Sequence, residues 1–549
     1  MSSLLKSIFH PSELVALAQY AVQERRRAKS EKSKVAGFSS SSSSLASASA
    51  AATSGTTDHD KASGAGALSS TARHDSASTL TTSSPPEDAA AVAGSTLARS
   101  YYYLDRTSRS FAAVIRALHP DLRDAVCIFY LALRGLDTVE DDMTIPLPRK
   151  LQVLLHFHEH LATPGWSFTE NALADKDRDL LVEFHVVVDQ FLRLPVEFQA
   201  VIGDITEKMA KGMAFYCERA YEQDQAVEKA MASDLAEDAE SAVLLSGNRV
   251  QSIEEYDQYC HYVAGLVGHG LTRLFLASGL ESSQALAADN LHLANSMGLF
   301  LQKINITRDF HEDFEENRAF WPREIWGNYA HALAELLESS DNYGKGRAAL
   351  NHQCANALTH VRDSLVYLSH LSEPSVFRFC AIPQVMAIAT LAEVYNNPSV
   401  FKGAVKIRKG LAVQLILQAT DMASVRAVFL RFTRDLQRGV DAYIDELTYV
   451  QQQSLGEPHD ELAKQRAANV AREMRAACVD VRVACGEARE VIKREDDRAK
   501  ASVVGAVVRA VRRADLAMAP LTLSTAVAVV GAATAAVLVY KRFATAYWG

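Results

Sequence analysis

With 57 Lys and Arg set against 66 Asp and Glu in 549 residues, the chain has a net charge of −9 and no long basic run, so it carries no electrostatic footprint for nucleic acid. Its seven cysteines, at 127, 217, 260, 354, 380, 478 and 485, form no CxxC pair and no His-linked metal spacing, which excludes a disulfide-stapled scaffold and predicts reduced thiols. Once low-complexity stretches are set aside, about 350 residues of well-mixed sequence remain, enough for one large core.

Met1 to His10 carries one lysine and too short an apolar stretch for a secretory signal, so the bulk of the chain is expected in the cytosol. Residues 9–27 can form a short amphipathic helix within an N-terminal segment, 1–36. Residues 37–96 are rich in Ser, Ala and Thr without apolar periodicity, a composition expected to be disordered. From about Leu97 a helical pattern begins and predicts an all-α bundle over 97–440, with Pro146, Pro148, Pro164, Pro195, Pro322, Pro374, Pro383 and Pro398 as element boundaries. Inside it, 221–249 turns acidic and Ala-rich, as an insertion or mobile loop would. Residues 441–515 predict a charged helix or tether. Leu516 to Tyr540 holds no charged residue over a length that can cross a bilayer, and Arg509, Arg512 and Arg513 precede it, against Lys541 and Arg542 after it. That predicts a single C-terminal transmembrane anchor, 516–540, with the upstream domain on the cytosolic side; a buried Ala-rich helix is the competing reading.

Two acidic clusters of one shape, Asp137-Thr-Val-Glu140-Asp141 and Asp309-Phe-His-Glu312-Asp313, lie far apart in this helical sequence. Positions i, i+3 and i+4 share a helix face, so each cluster presents three carboxylates to one point. A single such cluster is usually a solvated face. Two copies behind apolar flanks (Cys127–Leu136 and Ser296–Arg308) point instead to Mg²⁺ bridging to a substrate diphosphate, at the charged end of a buried groove for a long apolar substrate. Arg109, Arg134 and Arg308 lie close by in sequence and can offer bidentate bonds to phosphate, although ordinary salt bridges would place them equally well. Gln302 and Asn305, seven and four residues before Asp309, share its helix face and can bind phosphate or metal-bound water, or bond between helices.

The segments Thr107–Ile115 (TSRSFAAVI), Leu136–Met143 (LDTVEDDM), His261–Gly268 (HYVAGLVG), Phe379–Gln384 (FCAIPQ) and Phe401–Gly410 (FKGAVKIRKG) follow one another in an order that resembles the squalene synthases of the squalene/phytoene synthase family, from about Ala98 to about Arg438. The resemblance implies a single-domain isoprenoid-synthase-type helical bundle. It also implies a reaction in which two farnesyl diphosphates condense to presqualene diphosphate, followed by NADPH-dependent reductive rearrangement to squalene, the first committed step of sterol biosynthesis. By the same resemblance Asp137, Glu140, Asp141, Asp309, Glu312 and Asp313 hold Mg²⁺, and Tyr262 serves the first half-reaction. Phe379 and Tyr130 steady cations, with Phe377 and Gln384 at the substrate. Lys406 and Arg408 bind NADPH, and Arg109, Arg134 and Arg308 bind either the cofactor or the substrate diphosphate; the sequence alone would leave Lys406 and Arg408 as a solvated face, and no Rossmann GxGxxG turn is present. A monomeric catalytic unit anchored in the endoplasmic reticulum membrane is expected. Phe310 and His311 depart from the Tyr and Leu common in the family, at positions that carry no ligand. The rival readings are a phytoene or dehydrosqualene-type synthase without reduction, and a non-catalytic, tail-anchored helical scaffold.

Overall fold

The computed structural model describes residues 87–489 apart from 109–110, 232–249, 283–285, 287–290, 317, 339–343 and 454–457. The expected N-terminal helix, most of the Ser-rich tract, the transmembrane anchor and Arg109 lie outside the described residues.

Among the described residues the chain is helical throughout. In order run α1 (Glu87–Thr107), α2 (Phe111–Arg116), α3 (Pro120–Asp141), α4 (Leu147–His160), α5 (Arg178–Val182), α6 (His185–Phe191), α7 (Val196–Met231) and α8 (Ile253–Cys260). A π-helical turn, His261–Gly265, leads into α9 (Leu266–Ala277), then come α10 (Leu291–Arg308), α11 (Phe310–Glu315), α12 (Arg323–Trp326), α13 (Glu335–Glu338), α14 (Lys345–Leu358), α15 (Val361–Ser369) and α16 (Pro374–Val394). A 3₁₀ turn, Pro398–Lys402, precedes α17 (Lys409–Gln418), α18 (Met422–Gln453) and α19 (Pro458–Ala484).

Local chemistry starts these helices where the sequence allows. Pro120 and Pro374 sit in the first turns of α3 and α16, where a missing N–H costs nothing. Ser252 accepts from the Glu255 N–H at 3.1 Å while Glu255 accepts from the Gln251 N–H at 2.7 Å, a reciprocal cap on α8. The buried Glu281 takes the N–H groups of Ser372 and Glu373 at 2.9 to 3.0 Å, fixing the entry to α16 from another helix's end. Pro383 marks no boundary: it lies inside α16, leaving the Phe379 carbonyl without its helical donor, and burial of α16 on nearly all sides keeps the helix continuous through it. That same burial explains a helix apolar enough to span a membrane yet enclosed in the domain.

Helix α10 is the hub, packed against the π turn, α9, α14, α15 and α16. Its contact with the π turn and α9 is backbone on backbone. A Cβ at Gly268 would stand 2.4 Å from the Ala294 carbonyl oxygen, and one at Gly298 would stand 2.4 Å from that of Ala264. Helices α3 and α7 close the other side.

Beyond the expected domain end the fold continues. Helix α18 runs past residue 440, and α19 lies on α18 and α14. Ala467, Val470, Ala471, Met474, Cys478 and Val481 are buried along it at helical spacing. Part of the segment expected as a tether is therefore a packed helix, because that narrow stripe threads a sequence dominated by Arg, Glu and Gln. Similarly, α7 carries on to Met231, so the acidic insertion begins as a helix.

Candidate active site

Asp137, Glu140 and Asp141 end α3, and one carboxylate oxygen from each lies within 4.8 Å of the other two. Burial raises the proton affinity of Asp137, with Arg134 opposing and Asp141 reinforcing; Glu140 is pushed up by burial and by both like-charged neighbours. Three crowded carboxylates of this kind are stabilised by a hard divalent cation, and as donors they fit Mg²⁺.

The second cluster is built differently. Asp309 sits in the break between α10 and α11, paired through two bonds with Arg308, one of them Nε to Oδ1 at 2.7 Å. Only the first cluster, among the described residues, gathers three donors at metal-ligand spacing. The expectation of one continuous helical face for Asp309, Glu312 and Asp313 is thus met only loosely, since the chain turns at Asp309. Asp313 is pushed up to about 7 by burial, against the pull of Arg318.

Arg318 went unnoticed in the sequence. Its Nη1 donates to Asp141 Oδ1 at 2.7 Å, its backbone N–H donates to the Asp313 carbonyl at 2.8 Å, and its Nε is buried without a partner. It joins the two clusters. On the opposite side Arg134 donates to Asp137 at 2.6 Å, reaches Tyr130 Oη at 3.5 Å, and also leaves its Nε buried and unpartnered. Two guanidinium groups with orphaned donors beside an acidic triad suit an anion that shares the metal. The only early signal for Arg318 is its position five residues past Asp313.

From this mouth a cavity of about 370 Å³ runs back between α2, α3, the π turn, α9, α10 and α16. Helix α10 contributes Ala294, Met297, Gly298, Leu301, Gln302 and Asn305, apolar first and polar last. Helix α3 repeats the gradient through Val126, Phe129, Tyr130, Leu133, Arg134 and Asp137. Phe379 lines the wall, edge-on to Phe275 at 6.3 Å, and Gln384 lines it with its Nε2 tied to the Met297 carbonyl at 3.0 Å.

Other expected residues fall elsewhere. Phe377 is buried but does not line the cavity, because two residues along α16 from Phe379 turns it toward the opposite side. The Tyr262 ring is not part of the cavity lining, although its neighbours Val263 and Ala264 are. It rests over Gly212 of α7, 6.4 Å from the Tyr216 ring. Tyr216 belongs to an outer groove of about 410 Å³ that reaches Glu140, Asp141 and Arg318 from the far side. Lys406 is exposed and Arg408 caps α17, both away from the cavity lining. Their segment starts beside the second cluster, since Phe401 packs on Phe310 of α11 at 5.5 Å.

Comparison with known proteins matches residues 104–410 to the squalene/phytoene synthase family. The chain is 50% identical to a squalene synthase of Schizosaccharomyces pombe over 340 residues, 62% of this chain and 68% of that one. It is 46% identical to a squalene synthase of Homo sapiens over 342 residues, 62% of this chain and 74% of that one. A solved structure described as TcSQS with the ligand E5700 superposes at a TM-score of 0.56 and 38% identity, covering 70% of this chain and 99% of that chain.

Proposed function

The chain belongs to the squalene/phytoene synthase family and carries squalene synthase function, and from that premise we propose how its own residues do the work. Two farnesyl diphosphates join to presqualene diphosphate with loss of one diphosphate and one proton, and the second diphosphate leaves as that intermediate is reduced to squalene. One observation carries the assignment of roles: a carboxylate triad is flanked by two arginines with unpartnered donors, Asp137 and Arg134 at the end of the apolar cavity and Glu140, Asp141 and Arg318 on the outer groove.

Asp137, Glu140 and Asp141, with Asp309, Glu312 and Asp313 of the second cluster, would hold Mg²⁺, which when bound would neutralise charge on the leaving diphosphate. Arg134 and Arg318 orient the diphosphate, Arg308 holds Asp309 in place, and Gln302 and Asn305 supply neutral hydrogen bonds at the same end. Phe379 and Tyr130 present ring faces to cationic carbon, while the apolar walls exclude water that would quench it. Tyr262 relays the proton lost in the first condensation, its oxygen accepting that proton as it passes on its own; its neighbours Val263 and Ala264 line the cavity and the Tyr216 ring 6.4 Å away lines the outer groove, which supports that role. NADPH supplies the final hydride. The exposed Lys406 and the N-terminus of α17 at Arg408 form a basic surface suited to its phosphates. A C-terminal anchor at 516–540 would hold the enzyme, as a monomeric catalytic unit, on the endoplasmic reticulum membrane, where its hydrocarbon product partitions.

The test is the product formed by the full chain in detergent from farnesyl diphosphate and Mg²⁺, with and without NADPH. Squalene that depends on NADPH is expected, and Lys406→Ala/Arg408→Ala should raise the NADPH concentration needed by about tenfold or more, as lost charge-assisted phosphate bonds predict. Dehydrosqualene as sole product would favour the non-reducing rival. An unmoved NADPH dependence would send the cofactor site elsewhere.

A further inference from the structure

The blind end of the cavity is closed by a side chain that the reaction does not use. Helices α3 and α10 both run from an apolar start toward the acidic mouth, so Val126 and Ala294 mark the far end, with Leu271 of α9 beside them. Tyr367 of α15 lines the cavity there and is 3% exposed. Its hydroxyl lies 2.6 Å from Thr272 Oγ1, and Thr272 in turn donates to the Gly268 carbonyl at 2.8 Å. Thr272 has a single hydroxyl hydrogen, already given to Gly268, so Tyr367 is the donor to Thr272. The relay runs Tyr367 to Thr272 to Gly268, and Gly268 is itself cavity wall held on α10.

Packing alone would be served by phenylalanine. A buried hydroxyl that finds its partner instead fixes the ring in one rotamer, turning a side chain that could swing aside into a rigid wall. Helical rise puts Ala294 about 16 Å from Asn305 and about 22 Å from the level of Asp309. A farnesyl diphosphate lying along α10 with its diphosphate at the triad fills that length. One more isoprene unit would meet the Tyr367 ring.

We propose that Tyr367, pinned by Thr272, is the chain-length stop that makes the site select the fifteen-carbon prenyl diphosphate over the twenty-carbon one. This rests on the functional reading above, which supplies the orientation of the substrate. The two can fail separately.

The experiment measures kcat/KM for farnesyl and for geranylgeranyl diphosphate with the full chain in detergent at saturating Mg²⁺. Unaltered enzyme, Tyr367→Ala, Tyr367→Leu, Tyr367→Phe and Thr272→Val are compared. The ratio of geranylgeranyl to farnesyl should rise at least tenfold in the Ala and Leu variants. A rise of a few-fold is expected in Phe and Val, where the ring remains but loses its pin. Absence of farnesyl diphosphate turnover in the unaltered enzyme would overturn the functional reading and this assignment with it. Turnover with an unmoved ratio in Tyr367→Ala or Tyr367→Leu would overturn the assignment alone. Loss of turnover for both substrates in both variants would also overturn it, because Tyr367 would then be needed for folding or chemistry rather than for length.

Discussion

The two acidic clusters share a sequence pattern and differ in build. The first closes an unbroken helix, and its three carboxylates converge because i, i+3 and i+4 stack at the end of α3. The second straddles the break after Arg308, where Asp309 is tied to the neighbouring guanidinium. A repeated motif in sequence therefore yields one preformed three-donor site and one opposing set that leans on arginine. Arg318 spans the gap with bonds to Asp141 and to the Asp313 carbonyl. Electrostatic preorganisation in this site is shared between a cage and a bridge.

Breaking the cage should have the largest effect. Asp137→Asn removes a charge from the preformed triad and its bond to Arg134, and turnover of farnesyl diphosphate should fall by about 10³-fold or more, near the upper range for losing one preorganised charge partner. Asp309→Asn should cost about 10²-fold, since Arg308 would be freed and can compensate in part. Both variants should keep their helical circular dichroism. Equal and near-normal rates at saturating Mg²⁺ would dissolve the contrast between the clusters.

Removing the bridge sharpens the comparison. Arg318→Met should lower kcat/KM by about 10²-fold while shifting the Mg²⁺ dependence, because Asp141 would lose its guanidinium partner and Asp313 the positive charge that opposes its protonation. Arg318→Lys should restore a part, since a point charge replaces a fork. If Arg318→Met leaves the Mg²⁺ dependence unmoved, the arginine serves the fold rather than the site.

How much of this was legible follows from the range of each interaction. The all-α class and the acidic motifs rest on local spacing, which the sequence displays directly. Arg134, Gln302 and Asn305 follow from their spacing to the acidic clusters, and Tyr130, Phe379 and Gln384 from aromatic chemistry and the family resemblance; all six line the cavity. Arg318 was not, because nothing within a few residues of it announces that it reaches across 177 positions to Asp141. Phe377 was misplaced through a two-residue step on a helix with apolar residues all round. The stripe on α19 was overlooked because abundant charge masks six buried residues at helical spacing, and only the surfaces of α14 and α18 show what that stripe covers.

The smallest effect concerns what stands behind the second cluster. Lys303 of α10 is 1% exposed and binds Asp257 at 2.5 Å, Asn356 Oδ1 at 2.7 Å and His360 Nε2 at 2.9 Å. An ammonium only donates, so His360 must be the neutral acceptor, and burial together with Lys303 lowers its pKa to about 3. A histidine depressed in the folded state leaves stability intact above its unfolded pKa of about 6.5. Stability is lost as pH falls from there toward 3, because the unfolded chain takes up the proton first. The slope from this one group approaches about 1.4 kcal/mol per pH unit, or roughly 2 kcal/mol between pH 6.5 and 5. Urea midpoints measured at pH 7.5 and 5 should therefore lie closer together in His360→Gln, which keeps an acceptor for Lys303 and removes one titrating ring, while His269 and His352, both lowered to about 4 by burial, retain the rest of the acid loss. An equally steep acid loss in that variant would show that the α10 backing is not what yields first.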